Sequence, residues 1–585
     1  MTTPADLRAR VQAWIAGDPD PGDRAELRAL LTDSGGTDER GRAALAELTD
    51  RFAGRLEFGT AGLRGAVGAG PNRMNRAVVR GATAALAGWL RQRRPGAAKA
   101  GVVVGWDARH RSAEFADEVT SVLSGAGIRV HLLPGRSPTP LLAFGVRHLS
   151  AAAGVMITAS HNPAADNGYK LYLSDGAQIV PPADVQIAAA IRALGPLPAI
   201  PVGPATNPLV IHHGDEVAQA YLDAIAENHL AAGPGPDPAD GPLTVVYTPL
   251  HGVAGRLAVR AIARAGFPAP HVVAAQEEPD PDFPTLAFPN PEQPGVLDQA
   301  VTEARGLSAD LVLANDPDGD RLAVAVPDGN ARDGWRTLTG DQVGALLGAY
   351  LLEETAGGPP APGRLVATTV VSSTMLAKIA AAAGVHYVET LTGFKWIVRA
   401  GEYAPDSRFV FGYEEALGYV VGDTVRDKDG ISAAVAVLAL VARARQAGQT
   451  LLDRWDALEA AHGVHLTAQL TLDSRLPADV MAELRRGPPA VLADQRVISS
   501  ADLAGGGGGL APADVLRYWL DGARVVVRPS GTEPKLKAYI EVVEPTEGSS
   551  LPDARAAAAA RLAVLRPAVQ ALVAGAASRA AQRSS

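Results

Sequence analysis

Four short stretches of this 585-residue sequence bring together residue types that can do chemistry. The first is Gly154-Val155-Met156-Ile157-Thr158-Ala159-Ser160-His161-Asn162-Pro163, with Asn167-Gly168-Tyr169-Lys170 close behind. Its apolar run reads as a buried strand that stops at a polar turn, and the turn presents one hydroxyl, Ser160, where open parallel sheets put their ligand sites. Lys170 could exchange a proton there if burial and neighbours lower its pKa. The second stretch runs from Ala309 to Arg321 and sets Asp316, Asp318 and Asp320 at alternate positions just past an apolar strand. From a tight loop, three such carboxylates can converge on one hard cation and leave room for a phosphate oxygen, which suits Mg²⁺. The third, Arg528-Pro529-Ser530-Gly531-Thr532-Glu533-Pro534-Lys535, joins two cations, two hydroxyls and an approachable glycine in a nest for a phosphate-sized dianion. The fourth, Phe411-Gly412-Tyr413-Glu414-Glu415-Ala416-Leu417-Gly418-Tyr419, follows a strand directly. Its acidic groups cannot bind phosphate but can accept hydrogen bonds from sugar hydroxyls. Lys428 and the Thr392-Gly393-Phe394-Lys395-Trp396 segment add donors nearby in sequence.

Each stretch also has a plainer reading. Ser160 alone is equally a turn serine, and Lys170 alone a solvated lysine. A serine hydrolase triad is disfavoured, because no G-x-S-x-G elbow occurs and adjacent side chains rarely sit as nucleophile and base. The aspartates could cap a surface turn, although three clustered like charges without a cation are costly. They do not form an EF-hand: Gly319 takes the fourth loop position, Arg321 replaces the required glycine and the twelfth position is Pro327. A sharper rival is a phosphotransferase of the haloacid-dehalogenase type, in which the first Asp of an Asp-x-Asp-Gly turn is the nucleophile. The glutamates could belong to an ordinary charged loop, and Arg528 to Lys535 to a hairpin turn, though one overloaded with donors.

These turns need elements to position them, and the sequence supplies a regular alternation. Residues from Pro4 to Phe52 carry apolar and charged residues at helical spacing, broken by Asp18-Pro19-Asp20-Pro21-Gly22, and are expected to form a helical extension. After a glycine-rich turn around Arg64 come a helix from Asn75, a strand to Trp106, a helix from Ser112, a strand from Arg129 and then the Ser160 stretch. That order predicts a parallel sheet with crossover helices. Beyond a Pro-rich linker, Pro196 to Pro208, a second such set runs from Leu243 to the aspartates, and a third from Gly340 to the apolar helix at Ile431. The remainder predicts an α+β domain with an antiparallel sheet, in which the Gly505 to Gly509 run is a loose hairpin loop. The fold class is therefore α/β: three tandem similar α/β domains with mixed sheets, plus a smaller C-terminal α+β domain. The expected divisions are an extension at 1–55, then domains at 56–205, 206–328, 329–455 and 456–585.

Bulk properties narrow the chemistry by exclusion. Hydrophobic residues make up 47% and charged residues 20%, and a net charge of -9 argues against nucleic acid or an anionic membrane as the main partner. Any anionic ligand must be met by a local cluster. The absence of cysteine removes disulfides, thiolate metal sites and cysteine nucleophiles. Without a signal-like N-terminus or an uncharged apolar run of spanning length, a cytoplasmic protein is expected. No G-x-x-x-x-G-K-[ST] loop occurs, which removes a kinase of that type.

Together, the four ordered motifs resemble the α-D-phosphohexomutase superfamily, the phosphoglucomutase and phosphomannomutase group, over nearly the full length from Gly59. The resemblance implies four domains around a central cleft and Ser160 as a phosphoserine. Mg²⁺ would be held by that phosphate with Asp316, Asp318 and Asp320. Arg64 and Lys170 would flank the transfer site, Lys170 as general acid or base, with His161 and Arg321 lining it. Thr392, Glu414, Glu415 and Lys428 would face the sugar, and Arg528, Ser530, Gly531, Thr532 and Lys535 would hold the phosphate that is not reacting. It implies interconversion of sugar 1-phosphate and 6-phosphate or 5-phosphate through a bisphosphate, with glucose 1,6-bisphosphate as activator and a closing fourth domain that excludes water. Glucose-selective members carry a Glu-Glu-Ser-x-Gly loop, and here Ala416 lacks that hydroxyl. The long N-terminal part and the Gly59 to Arg64 motif look most like the large branch of phosphopentomutase-like and bacterial phospho-sugar mutases. The expected substrate is glucose 1-phosphate, ahead of mannose and pentose phosphates.

Overall fold

The computed structural model describes residues 3–59, 62–195, 197–228, 241–356, 363–473, 476–530 and 535–584. The chain forms two compact units, one built from 1–228, 243–325 and 424–435, the other from 229–242, 326–423 and 436–585.

The first unit begins with three helices, Pro4–Gly17, Pro21–Asp33 and Glu39–Arg51. Thr3, Asp20 and Asp38 cap them by accepting N–H groups of the first turn, each cap contributing about 1 kcal/mol. Val11, Leu27, Leu48 and Phe52 give these helices a small core of their own. Arg111 then ties the extension to the domain that follows, reaching Asp20 at 2.7 Å and Asp23 at 2.8 Å.

The first sheet contains β1 (Leu63–Ala66), β2 (Val102–Trp106), β3 (Val130–Arg136), β4 (Ala153–Ile157), β5 (Asp166–Leu173) and β6 (Val210–His212), in the order β1-β5-β4-β2-β3-β6. The run β4-β2-β3-β6 is parallel, while β5 and β1 are antiparallel additions. Strand β4 is buried throughout, as expected of an apolar strand covered on both faces by crossover helices. Lys170 lies on a full strand, β5, and β6 joins this sheet although it lies past the boundary expected at 205.

The second sheet holds β7 (Val245–Thr248), β8 (His271–Val272), β9 (Leu311–Asn315) and β10 (Leu322–Pro327), with β11 (Trp335–Thr337) on its edge, in the order β11-β10-β9-β7-β8. Strands β9 and β10 are antiparallel, with Leu322 opposite Asn315, so the aspartates occupy the tight turn between them. Residues 424–435 also belong to this unit. The Tyr172 and Tyr221 hydroxyls donate to Asp427 and Asp429, each at 2.7 Å.

The second unit carries β12 (Gly363–Thr369), β13 (His386–Thr390), β14 (Ser407–Glu414) and β15 (Gly418–Val421), ordered β13-β12-β14-β15. Its other sheet is antiparallel and ordered β16-β22-β21-β20-β19. It is built from β16 (Val464–Asp473), β19 (Ser499–Asp502), β20 (Leu516–Leu520), β21 (Ala523–Pro529) and β22 (Lys535–Glu544), with a separate small pair, β17 (Val491–Leu492) and β18 (Gln495–Arg496). The Gly505 to Gly509 run lies between β19 and β20 as expected, and Gly506 to Gly509 also line a cavity of about 670 Å³ with Tyr403 and Trp519. The helix Leu551–Ser584 is, by length and composition, apolar enough to cross a membrane. Ala554, Ala558, Leu565, Val569, Val573, Ala576 and Ala580 form a stripe at helical spacing that is buried in the core of this sheet.

A second cluster, Val370, Val371, Leu391, Val526 and Tyr539, joins the two sheets of this unit. At its edge the buried Arg524 guanidinium donates to the Val370 carbonyl at 3.2 Å and to Glu541 at 2.9 Å. Glu541 in turn accepts from the Thr374 amide at 2.7 Å, the Ser373 hydroxyl at 2.9 Å and His465 at 3.1 Å.

Candidate active site

Past Ile157 the Thr158 hydroxyl accepts the Ser160 amide at 2.8 Å, and Ser160 itself adopts φ +54°. That left-handed backbone is uncommon for a residue with a Cβ and is found where surrounding structure enforces it. Ser160 is 2% exposed, with its Oγ 2.8 Å from Asp316 Oδ2 and 3.0 Å from His161 Nδ1. A hydroxyl has one hydrogen to donate, and the carboxylate has none, so Asp316 takes it and His161 Nδ1–H donates to Oγ. Burial, reinforced by Arg321 and Arg64, pushes the His161 imidazole well below its usual range. His161 is thus a neutral donor to the serine rather than its base. The two adjacent side chains meet across this turn as donor and acceptor.

Asp316, Asp318 and Asp320 are all buried, and one carboxylate oxygen from each lies within 4.8 Å of the others. Gly319 makes this turn possible: its φ is +74°, and a Cβ there would lie 2.8 Å from that of Ala254. The Arg321 amide donates to Asp316 Oδ1 at 2.9 Å. Thr139, at the start of the helix Thr139–His148, donates its hydroxyl to Asp318 Oδ2 at 2.6 Å and its amide to the Asp318 carbonyl at 2.9 Å. Asp318 Oδ1 and Asp320 Oδ1 are buried without a hydrogen-bond partner. Oxygen donors left unsatisfied at this depth are costly unless something hard and positive meets them, and the donor set fits Mg²⁺.

Lys170 comes from β5, opposite Met156 of β4, and its ammonium donates to Asp318 at 2.6 Å and Asp320 at 2.9 Å. Burial disfavours its charge, but the two carboxylates outweigh burial and raise its pKa. The lysine is therefore held protonated, opposite to the lowered pKa that would make it a ready base. Burial and the adjacent Asp320 push Asp318 up. Asp320 is also buried, yet Lys170, Lys428 and Arg321 hold it far below the ordinary carboxylate range. Lys428, grouped in the sequence reading with the sugar-facing residues, has its Nζ 3.5 Å from Asp320. Arg64, on β1 opposite Gly168, donates to Asn162 Oδ1 at 3.2 Å and leaves its Nε buried and unpartnered.

In the second unit, Glu414 ends β14, and Glu415 and Ala416 form the turn into β15. Glu415 Oε2 accepts from the Ser372 hydroxyl at 3.1 Å. Thr392 precedes Gly393, which has φ +107°. Arg528 closes on the Tyr539 hydroxyl at 3.3 Å, and the Ser530 amide donates to the Lys535 carbonyl at 2.8 Å. Gly531 and Thr532 lie outside the described residues. Two buried residues that the sequence reading passed over, Thr139 and Arg109, contact these loops directly. Arg109 stands in a polar turn just past β2, the same strand-end position that singled out Ser160 and the aspartates, and so carried a usable signal. Thr139 carried none, because only the fold brings it to Asp318.

Family models described as phosphoglucomutase/phosphomannomutase alpha/beta/alpha domains I, II and III match residues 55–196, 219–329 and 339–458, and the C-terminal domain of the same family matches 480–558. The chain is 42% identical over 480 residues to a probable phosphomannomutase of Haemophilus influenzae, covering 80% of this chain and 93% of that protein. It is 36% identical over 567 residues to a probable phosphoribomutase of Schizosaccharomyces pombe, covering 91% and 93%. Among solved structures, a phosphoglucomutase/phosphomannomutase family protein from Burkholderia thailandensis shares the fold with a TM-score of 0.65 at 21% identity, covering 88% of this chain and 97% of that one. Four successive domain matches and two relatives above 30% identity over most of both chains leave one assignment: this chain belongs to the phosphoglucomutase/phosphomannomutase family, in the α-D-phosphohexomutase superfamily, and is an enzyme of the intramolecular phosphotransferase class.

Proposed function

We propose that the enzyme interconverts glucose 1-phosphate and glucose 6-phosphate, with Ser160 as the phosphoryl carrier and a bisphosphorylated sugar as the intermediate. The observation that supports this most is the Ser160 hydroxyl standing 2.8 Å from Asp316, at the edge of a buried three-aspartate cluster. Asp316, Asp318 and Asp320, with an oxygen of the phosphoserine, would hold Mg²⁺, which when bound neutralises charge on the phosphoryl oxygens. Arg64 supplies a second fixed cation beside the Ser160 loop, where its preorganised charge favours the transferring group. His161 donates to the serine oxygen and orients it, and Arg321 fixes Asp316 through its amide. Lys170 and Lys428 balance the aspartates, and Lys170 is the proposed proton donor to the sugar oxygen.

In the second unit, Thr392, Glu414 and Glu415 are the proposed partners of the sugar hydroxyls, with Ala416 beside them. Arg528, Ser530, Gly531, Thr532 and Lys535 are the proposed grip on the phosphate that is not being transferred. A sugar bisphosphate serves as activator because it can load Ser160. Two observations favour a second reading, a pentose phosphate: Ala416 offers no hydroxyl to a hexose, and a probable phosphoribomutase matches 91% of the chain. A coupled assay over glucose, mannose and ribose 1-phosphates, with Ser160→Ala as control, tests both. Highest kcat/KM on glucose 1-phosphate supports the first reading and highest on ribose 1-phosphate the second. Equal turnover by Ser160→Ala removes both.

A further inference from the structure

Within the loop from Ser160 to Asp166 the Asn162 side-chain amide donates to Asp166 Oδ2 at 2.9 Å and the Asp166 amide to the Pro163 carbonyl at 3.0 Å, bonds that do not reach the Ser160 carbonyl. The loop's main-chain carbonyls are instead gathered by one side chain from another strand end. Arg109 Nη2 donates to the carbonyls of Ser160, at 2.7 Å, and Asn162, while Nη1 donates to those of Pro163 at 2.7 Å and Asp166 at 3.0 Å. The arginine is 4% exposed. Its own position is fixed on two sides. Asp107 lies 3.5 Å from its Nε and also accepts the Arg109 amide at 2.9 Å and the Ser112 hydroxyl at 2.6 Å. The Phe283 ring lies 5.2 Å from the guanidinium carbon.

A planar guanidinium with five donors can span four carbonyls spread over seven residues of loop, whereas an ammonium donates from one point and cannot. Removing it takes this donor from all four carbonyls, leaves the buried Ser160 carbonyl without its guanidinium partner while Pro163 keeps the Asp166 amide at 3.0 Å, and releases the backbone held at φ +54° at Ser160. We propose that Arg109 is a positioning residue for phosphoryl transfer, which through these four carbonyls fixes the left-handed turn that aims Ser160 Oγ at Asp316. The inference rests on Ser160 being the phosphoryl carrier. In that step a sugar O–P bond breaks as the Oγ–P bond forms, the released sugar oxygen takes a proton from Lys170, and the proton lost by serine restores the lysine. Arg109 contributes no atom to either bond.

The test follows Ser160 phosphorylation by peptide mass spectrometry after glucose 1,6-bisphosphate and Mg²⁺ are added to full-length wild type, Arg109→Ala and Arg109→Lys. Each is run with and without added guanidinium chloride at non-denaturing concentration. A misaimed nucleophile is expected to slow Arg109→Ala by about 100-fold and Arg109→Lys by about tenfold. Guanidinium is expected to recover about tenfold in the alanine variant and nothing in the lysine variant, whose side chain fills the space. In steady state kcat falls while KM for glucose 1-phosphate stays within about threefold. An alanine variant that loads Ser160 within about threefold of wild type, or that melts like wild type yet gains nothing from guanidinium, overturns the inference. Should the alanine variant not fold, the lysine variant decides, and a wild-type rate there overturns it. A wild type that takes no phosphate defeats the Ser160 reading itself, and the inference with it; failure of Arg109 alone requires a phosphorylated wild type.

Discussion

One hydrogen on the Ser160 hydroxyl organises the residue-level chemistry: given to Asp316, it leaves His161 as donor and couples the serine to the aspartate cluster. Asp318→Asn removes charge from that cluster and is expected to weaken Mn²⁺ binding, read by electron paramagnetic resonance, by about 100-fold; an unchanged affinity would show that the cluster is not the metal site. Thr139→Val removes only the hydroxyl that steers Asp318 and is expected to cost about tenfold in the same measurement, with Thr139→Ser close to wild type. Equal affinities for the valine and serine variants would remove that role. The contrast also marks what a sequence can tell. Ser160 and the three aspartates are legible because their types are unusual at strand ends and their spacing is local. Thr139 is a common residue whose partner lies 179 positions away. The protonated state of Lys170 is equally hidden, since the carboxylates that raise its pKa come from another domain.

At the scale of elements, strand and helix existence was legible from periodicity, while strand partners were not. Lys170 sits on a strand because β5 pairs antiparallel with β4, and β6 completes a sheet from beyond an expected linker; neither follows from local pattern. The buried charges of the second unit are likewise invisible in sequence, and they give a pH signature. Glu541 is buried, but His465 and Arg524 outweigh burial and hold its carboxyl at about 2 against an ordinary 4.5. It therefore stabilises the fold above pH 4.5, and that contribution is lost as pH falls toward 2. Asp341 behaves in the opposite sense: burial pushes it up to about 6 from 3.8, so its contribution is complete below pH 3.8 and is lost as pH rises through 6. Asp341→Asn removes that titration. Its thermal midpoint relative to wild type is expected to rise between pH 4 and 6.5 and to level above 7, corresponding to roughly 3 kcal/mol across the window. Parallel curves for the two proteins would contradict this. Glu541→Gln takes one of two carboxylate partners from the buried Arg524, which keeps Glu389 at 3.2 Å, and is expected to cost about 2 kcal/mol near neutral pH by chemical denaturation.

For the whole molecule, the alternation of strands and helices was enough to read three α/β domains and a smaller fourth. The grouping of residues 424–435 with the first unit was not, because it depends on the Tyr172 and Tyr221 hydroxyls finding Asp427 and Asp429. The N-terminal helices are legible as helices and illegible as docked, since Arg111 holds them through Asp20 and Asp23. Membership of the phosphoglucomutase/phosphomannomutase family spans these domains. In the proposed reading, the choice among sugars turns on a few side chains around Glu415 and Ala416. The proposal that unites the chain's chemistry is a phosphate carried on serine rather than on aspartate, and one measurement addresses it directly. Purified enzyme is incubated with glucose 1,6-bisphosphate and Mg²⁺, digested, and the phosphate located by mass spectrometry with and without hydroxylamine. The expected result is one acid-stable phosphate on Ser160 that hydroxylamine leaves in place; an unmodified Ser160, or a hydroxylamine-labile phosphate on Asp316, would contradict it.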